Sequence, residues 1–123
     1  ALLDELRPRH RLAVVSNFDD TGAVFEILHR HGVLGKVDAV VVSESLGLRK
    51  PHPLTVHTAL RMLDVRADAA LLVGDTFAED VAAAHAAGID AAWLDRHARG
   101  APLGATPPRF VLGGLSELPG VLD

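Results

Sequence analysis

Hydrophobic residues fall along this chain in two kinds of run. The first kind is short and nearly unbroken: Leu12-Ala13-Val14-Val15, Val37 to Val42, Ala70-Leu71-Leu72-Val73, Ala91-Ala92-Trp93-Leu94 and Phe110-Val111-Leu112. Such runs are too short for helices and suit strands buried on both faces of a parallel sheet. The second kind has helical spacing. Val24, Ile27, Leu28 and His31 predict the inner side of a helix over 21–31, with Gly32 as its stop. Leu54, Ala59, Leu60 and Leu63 predict another, and Glu79 to Ala87 an alanine-rich third ended by Gly88. Ala1 to Leu6 reads as a short opening helix stopped before Pro8. Ser43 to Pro53 reads as a loop, as do residues 98–108 with their glycines and three prolines, and Ser116 is expected to cap a terminal helical turn.

Strand alternating with helix at this spacing predicts an α/β fold: a Rossmann-like parallel sheet with helices on both faces. The chain shows no internal repeat or low-complexity tract, and its 123 residues predict a single domain over 1–123. A chain of that length buries roughly two-thirds of its unfolded surface. With 49% hydrophobic but only 4% aromatic residues, the core must be built mainly from Ala, Val and Leu.

Charge and composition then remove several function classes. Twelve basic against sixteen acidic residues give a net charge of −4, which disfavours a nucleic-acid-binding surface. Cysteine is absent, so neither a disulfide framework nor a thiolate metal site is expected. No apolar run approaches the ~18 residues of a membrane span, and no charged-then-apolar leader opens the chain. A cytoplasmic domain is the expectation.

In a parallel α/β sheet, binding sites form beyond the carboxyl ends of the strands. Ser16 and Asn17 stand after the first strand, Lys50-Pro51 in the loop after the second, and Asp75 with Asp80 after the third. A hydroxyl, an amide, an ammonium and two carboxylates are thereby directed to one edge. That set suits a phosphoryl group beside a divalent metal. Hydroxyl and N–H groups satisfy phosphate oxygens, lysine offsets charge, and a strand-end carboxylate suits magnesium.

These same residues carry a family likeness. Val14-Val15-Ser16-Asn17 resembles the second motif of the haloacid dehalogenase superfamily, Gly47-Leu48-Arg49-Lys50-Pro51 its third, and Val73-Gly74-Asp75-Thr76-Phe77-Ala78-Glu79-Asp80 its fourth. Order and spacing agree, and the resemblance runs from about Leu12 to Leu118. It implies a magnesium-dependent phosphatase acting on a small phosphorylated metabolite through an aspartyl-phosphate. By that resemblance Ser16 hydrogen-bonds the transferring phosphoryl group, helped by the Asn17 backbone. Lys50 neutralises charge and orients the nucleophile, Asp75 ligates magnesium, and Asp80 supports the metal shell from behind.

The family's first motif, Asp-x-Asp-x-Thr or Ser, is not matched. Ala1 to Arg11 contains no apolar strand leading into an aspartate pair. Asp19-Asp20-Thr21 follows the Ser-Asn motif directly, where relatives carry an aspartate alongside a separate nucleophile, so it is not read as catalytic. No cap domain is recognised. In the family's sheet the first-motif strand is central, between those ending at Ser16 and Asp75. Its two neighbours here are therefore expected to present unpaired edges. The chain is expected to lack normal turnover alone and either to self-associate or to be completed by an N-terminal segment. Two alternatives remain: a non-catalytic remnant that binds a phosphorylated ligand or partner chain, and a metal-independent dehalogenase-like hydrolase. The seven histidines form no HxxxH or HExxH pair and read as surface or loop residues, with His52 the one placed near Lys50. Trp93 is expected in the core or at its rim.

Overall fold

The computed structural model describes residues 2–122, so Ala1 of the expected opening helix lies outside the described residues. Its strands are β1 (Ala13–Ser16), β2 (Ala39–Val42), β3 (Leu71–Gly74), β4 (Asp90–Leu94) and β5 (Phe110–Leu112). Its helices are α1 (Leu2–Leu6), α2 (Thr21–Arg30), α3 (Ser43–Leu46), α4 (Leu54–Leu63), α5 (Ala82–Ala87) and α6 (Leu118–Leu122). All pairings are parallel, as the unbroken apolar runs require.

The strands form two sheets rather than one. β1 pairs with β2, in register from Ala13↔Ala39 to Ser16↔Val42, and β3, β4 and β5 pair in that order. Among the described residues nothing pairs β1 with β3. The consequence is visible in burial: every residue of β1 and β3 is half-buried, whereas three of the four in β2 are buried. The carbonyl of Leu12 accepts from the N–H groups of Asp38 and Ala39, toward β2. Because carbonyls alternate along a strand, Val15 turns its own to the opposite edge, where it meets Lys50 Nζ at 3.0 Å.

β4 shows why both faces are covered. Ala91 and Trp93 point to one side, into a cluster with Val56 of α4 and Ala83, Ala84 and Ala87 of α5. Ala92 and Leu94 point to the other, with Leu6 of α1, Leu112 of β5 and Leu118 of α6. Small alanines let α5 lie close to the sheet, which offsets the scarcity of aromatic residues. α4 packs on β1, β2 and α5 and so spans the two sheets. Arg11 secures its far end, donating from Nη1 to the carbonyls of Leu63 (2.6 Å) and Asp64 (3.1 Å), where the helix dipole favours a cation.

Several local expectations are corrected. Ser43 to Pro53 is not all loop, since Ser43–Leu46 forms the short α3, closed by Gly47 in a left-handed conformation with φ 71°. The inner face of α4 is centred on Thr55, Val56 and Ala59, with Leu54, Leu60 and Leu63 only half-buried. On α2 only Val24 is buried and Ile27 is exposed, so the helix does not bury the full apolar stripe. Ser116 is no cap: it lies within the turn Leu115–Glu117, and Glu117 Oε2 instead accepts from the Gly113 and Gly114 N–H groups. The helix expected from Glu79 begins earlier, as a wide turn over Phe77–Val81 in which Ala82 N–H reaches the Phe77 carbonyl.

Candidate phosphate and metal site

Lys50 is the hub of the strand-end cluster. Its ammonium donates to the Val15 carbonyl at 3.0 Å and to Asp80 Oδ1 at 2.6 Å, with 11% and 8% of the two side chains exposed. Removing one partner of so enclosed an ion pair costs about 3–5 kcal/mol, because the other charge is left buried. An ammonium has three protons, so one remains for a ligand. The Lys50-Pro51 peptide is cis.

Asn17 fixes this lysine from the backbone side. Its Oδ1 accepts from Lys50 N–H at 2.8 Å, and its Nδ2 donates to the Lys50 carbonyl at 3.0 Å. Nδ2 also donates to Glu79 Oε1 at 3.1 Å, while Glu79 Oε2 faces Arg49 at 3.5 Å. The Asn17 side chain is thus spent on the Lys50 loop. Its backbone N–H makes no hydrogen bond among the described residues. Ser16 Oγ is likewise without a partner among the described residues. Capping does not account for either residue, since the N-cap of α2 is Asp20, whose Oδ1 accepts from Ala23 N–H at 3.0 Å.

The two aspartates divide their work. Asp80 is buried, with Oδ1 on Lys50 and Oδ2 accepting from Thr76 N–H at 3.0 Å. Asp75 is exposed just beyond β3, and among the described residues its carboxylate accepts only from Thr76 Oγ1, at 3.2 Å. Its backbone carbonyl is held by Trp93 Nε1 at 3.3 Å, and the indole packs edge-on against Phe77, with centroids 5.0 Å apart. Trp93 is buried as expected, yet it reaches the site through this bond. Gly74 explains the Gly-Asp pair: a Cβ at that position would overlap the Asp80 side chain.

A metal is implied by the resemblance, and the residues fit one in part. No group of three or more His, Asp or Glu side chains able to hold a metal exists among the described residues. Asp75 offers one open carboxylate, and Asp80 is committed to protein donors. Magnesium is commonly held by one or two carboxylates with substrate phosphate and water, so Asp75 suffices as an anchor but not as a cage.

Ser16, Lys50, Asp80, Thr76 and Asp75 are therefore linked through successive bonds or adjacent residues from β1 across to β3. Sequence reasoning placed all five expected site residues on one sheet edge but missed the Asn17 amide's role and the part played by Glu79. Nothing in the spacing marks Glu79, because its two partners, Asn17 and Arg49, come from separate and distant segments. His52, placed near the site from sequence, is exposed and turned away to the start of α4, where its Nδ1 accepts from Leu54 N–H at 3.1 Å.

Parallel strands in a Rossmann-like arrangement, followed by Ser-Asn, Lys-Pro and Gly-Asp in that order, define a haloacid dehalogenase-like core. The family described as haloacid dehalogenase-like hydrolase matches residues 1–94, and the chain belongs to that family. It is 29% identical to the pyrimidine 5'-nucleotidase YjjG of Escherichia coli over 120 residues, covering 96% of this chain and 52% of that protein. It is 41% identical to a plasmid-encoded phosphoglycolate phosphatase of Cupriavidus necator over 83 residues, 68% of this chain and 35% of that protein. Among solved structures, the 2-haloacid dehalogenase of Pseudomonas syringae superposes with a TM-score of 0.86 at 31% identity, over 98% of this chain and 50% of that one. The chain thus spans about half, or less, of the length of the relatives it matches.

Proposed function

We propose that this chain forms the phosphate-holding and metal-anchoring part of a magnesium-dependent phosphatase for a small phosphorylated metabolite. The observation that carries this is the seam between the sheets: β1 ends in Ser16, β3 leads into Asp75, Lys50 joins the Val15 carbonyl to Asp80 across the seam, and among the described residues β1 and β3 do not pair. In this reading a further strand pairs between them and brings the nucleophilic aspartate to Lys50.

Each group then has a defined role. Ser16 Oγ and the Asn17 N–H donate to phosphoryl oxygens, and the remaining Lys50 proton offsets charge on the nucleophile and phosphate. Asp75 anchors magnesium, and Asp80 supports that arrangement by holding Lys50 and the Thr76 backbone. When bound, magnesium would neutralise phosphate charge as a Lewis acid. The rest is positioning, which phosphoryl transfer chiefly needs. Named phosphatases among the relatives support this reading. Likeness to a dehalogenase supports a metal-independent alternative, but that chemistry has no use for the open Asp75 carboxylate.

Hydrolysis of p-nitrophenyl phosphate by the purified chain, with and without a synthetic strand peptide bearing Asp-x-Asp-x-Thr, tests this. Turnover is expected only with peptide and magnesium together, and is lost in Asp75→Asn. Turnover by the chain alone, abolished by the same substitution, refutes the divided site.

A further inference from the structure

The peptide that joins Asp75 to Thr76 is gripped at both ends. Its carbonyl, that of Asp75, accepts from Trp93 Nε1 at 3.3 Å, and its N–H, that of Thr76, donates to Asp80 Oδ2 at 3.0 Å. A trans peptide is planar and points its C=O and N–H in opposite directions, so two such bonds fix the tilt of the whole plane. The grips come from different elements: Trp93 lies on β4, and Asp80 in the wide turn over Phe77–Val81. Just ahead, Gly74 closes the β3–β4 ladder in register with Trp93. Asp75 therefore sits between the end of a strand ladder and a peptide clamped by side chains. Its Cα–Cβ direction is set, and only its side-chain torsions stay free.

That setting matters because the carboxylate has little else to hold it. Among the described residues it accepts only from the neighbouring Thr76 hydroxyl, and the side chain is exposed. Both grips are firm. The indole is 7% exposed and meets Phe77 edge-on, with the ring planes at 83°. A phenyl ring would supply such packing too; what tryptophan adds is an N–H that needs a partner once buried. Asp80 is held by its other oxygen, which accepts from Lys50 at 2.6 Å. A continuous path thus runs from the core of the three-stranded sheet, through one peptide plane, to the lysine.

We propose that Trp93 is a positioning residue for the Asp75 carboxylate, aiming it by holding the peptide that follows. A cation anchored on one open carboxylate depends on that aim, because an anchor ordered beforehand spends no binding energy on being ordered. The cation's part rests on the metal-anchoring role proposed above.

The ¹⁵N-labelled chain, titrated with Mn²⁺ in place of magnesium, tests this, since both ions favour carboxylate oxygen and manganese broadens the signals of nearby amides. The Asp75 and Thr76 amides should broaden first, and Asp75→Asn should remove that preference. In Trp93→Phe the manganese needed should rise roughly three- to tenfold, the worth of about one hydrogen bond. Ile89→Val is the control: it thins the same apolar cluster, costs comparable stability and should leave the titration unchanged. A Trp93→Phe titration identical to that of the unaltered chain, or one weakened equally by Ile89→Val, overturns the proposal. If manganese shows no preference for Asp75, or the same preference in Asp75→Asn, the metal-anchoring role fails, and amide exchange at Thr76 decides the clamp by itself. Exchange faster in Trp93→Phe than in Ile89→Val retains it, and equal exchange sinks it.

Discussion

Gly74→Ala should be among the costliest single-methyl additions in this chain. The added Cβ would overlap the Cβ, Cγ and Oδ2 of Asp80, a buried side chain held from both oxygens. Relief by a small shift is blocked, because moving Asp80 breaks its 2.6 Å bond to Lys50 and its 3.0 Å bond to Thr76 N–H. Overpacking alone costs about 1–3 kcal/mol, and parting a buried ion pair about 3–5 kcal/mol. The larger figure should apply, a substantial share of the ~5–15 kcal/mol that holds a typical domain together. Urea denaturation measures it directly. The control is the same substitution in an Asp80→Gly background, since an alanine at position 80 would keep one overlapping atom. There the clash is gone, and Gly74→Ala should be neutral or stabilising by about 0.5–1 kcal/mol, from reduced freedom of the unfolded chain. The reasoning fails if Gly74→Ala costs under about 1 kcal/mol, or costs the same in both backgrounds.

Asn17→Ala removes three hydrogen bonds around Lys50 and should cost about 1–3 kcal/mol, with faster amide exchange at Lys50 as its signature; unchanged exchange there contradicts the clasp. Trp93→Phe keeps the aromatic packing but drops the bond to the Asp75 carbonyl, so calorimetry should show a loss of about 1 kcal/mol. Glu44 has a folded pKa below its unfolded value, chiefly through the Thr21 hydroxyl and then the Thr21 N–H. Its stabilisation is complete above the unfolded glutamate pKa of ~4.3 and is lost as pH falls through the folded value. Carboxyl NMR should show that midpoint rising in Thr21→Val, though not fully to the ordinary value, since the backbone donor remains.

The strand ends were the most readable part of the chain. A parallel strand buried by its neighbours must be apolar for its whole length, so the polar residue that closes or follows it is conspicuous, as Ser16 and Asp75 were. Even the interruption of the sheet was foreseeable, because no apolar run leads into an aspartate pair ahead of Leu12. What escaped was anything decided between elements. Asn17 reads equally well as a cap, and only the fold brings its amide against the Lys50 backbone. Glu79 joins Asn17 to Arg49 across three elements, and no one-dimensional period encodes that. Ile27 has the right helical phase for a core position, yet it lies exposed on α2.

The two sheets are each drawn from one continuous stretch of chain. β1 and β2 lie within residues 13–42, and β3 to β5 within 71–112, with no strand crossing from one group to the other. Each half can therefore gain its pairings from contacts near in sequence, which favours rapid and separate folding of the two. Cooperativity between them must then come from α4 and from the bonds of Lys50 and Asn17 to the wide turn after β3. Native-state hydrogen exchange should resolve two blocks that merge in the intact chain and separate in Lys50→Met. The lysine at the hub of the candidate site is also the stitch that makes two folding units behave as one.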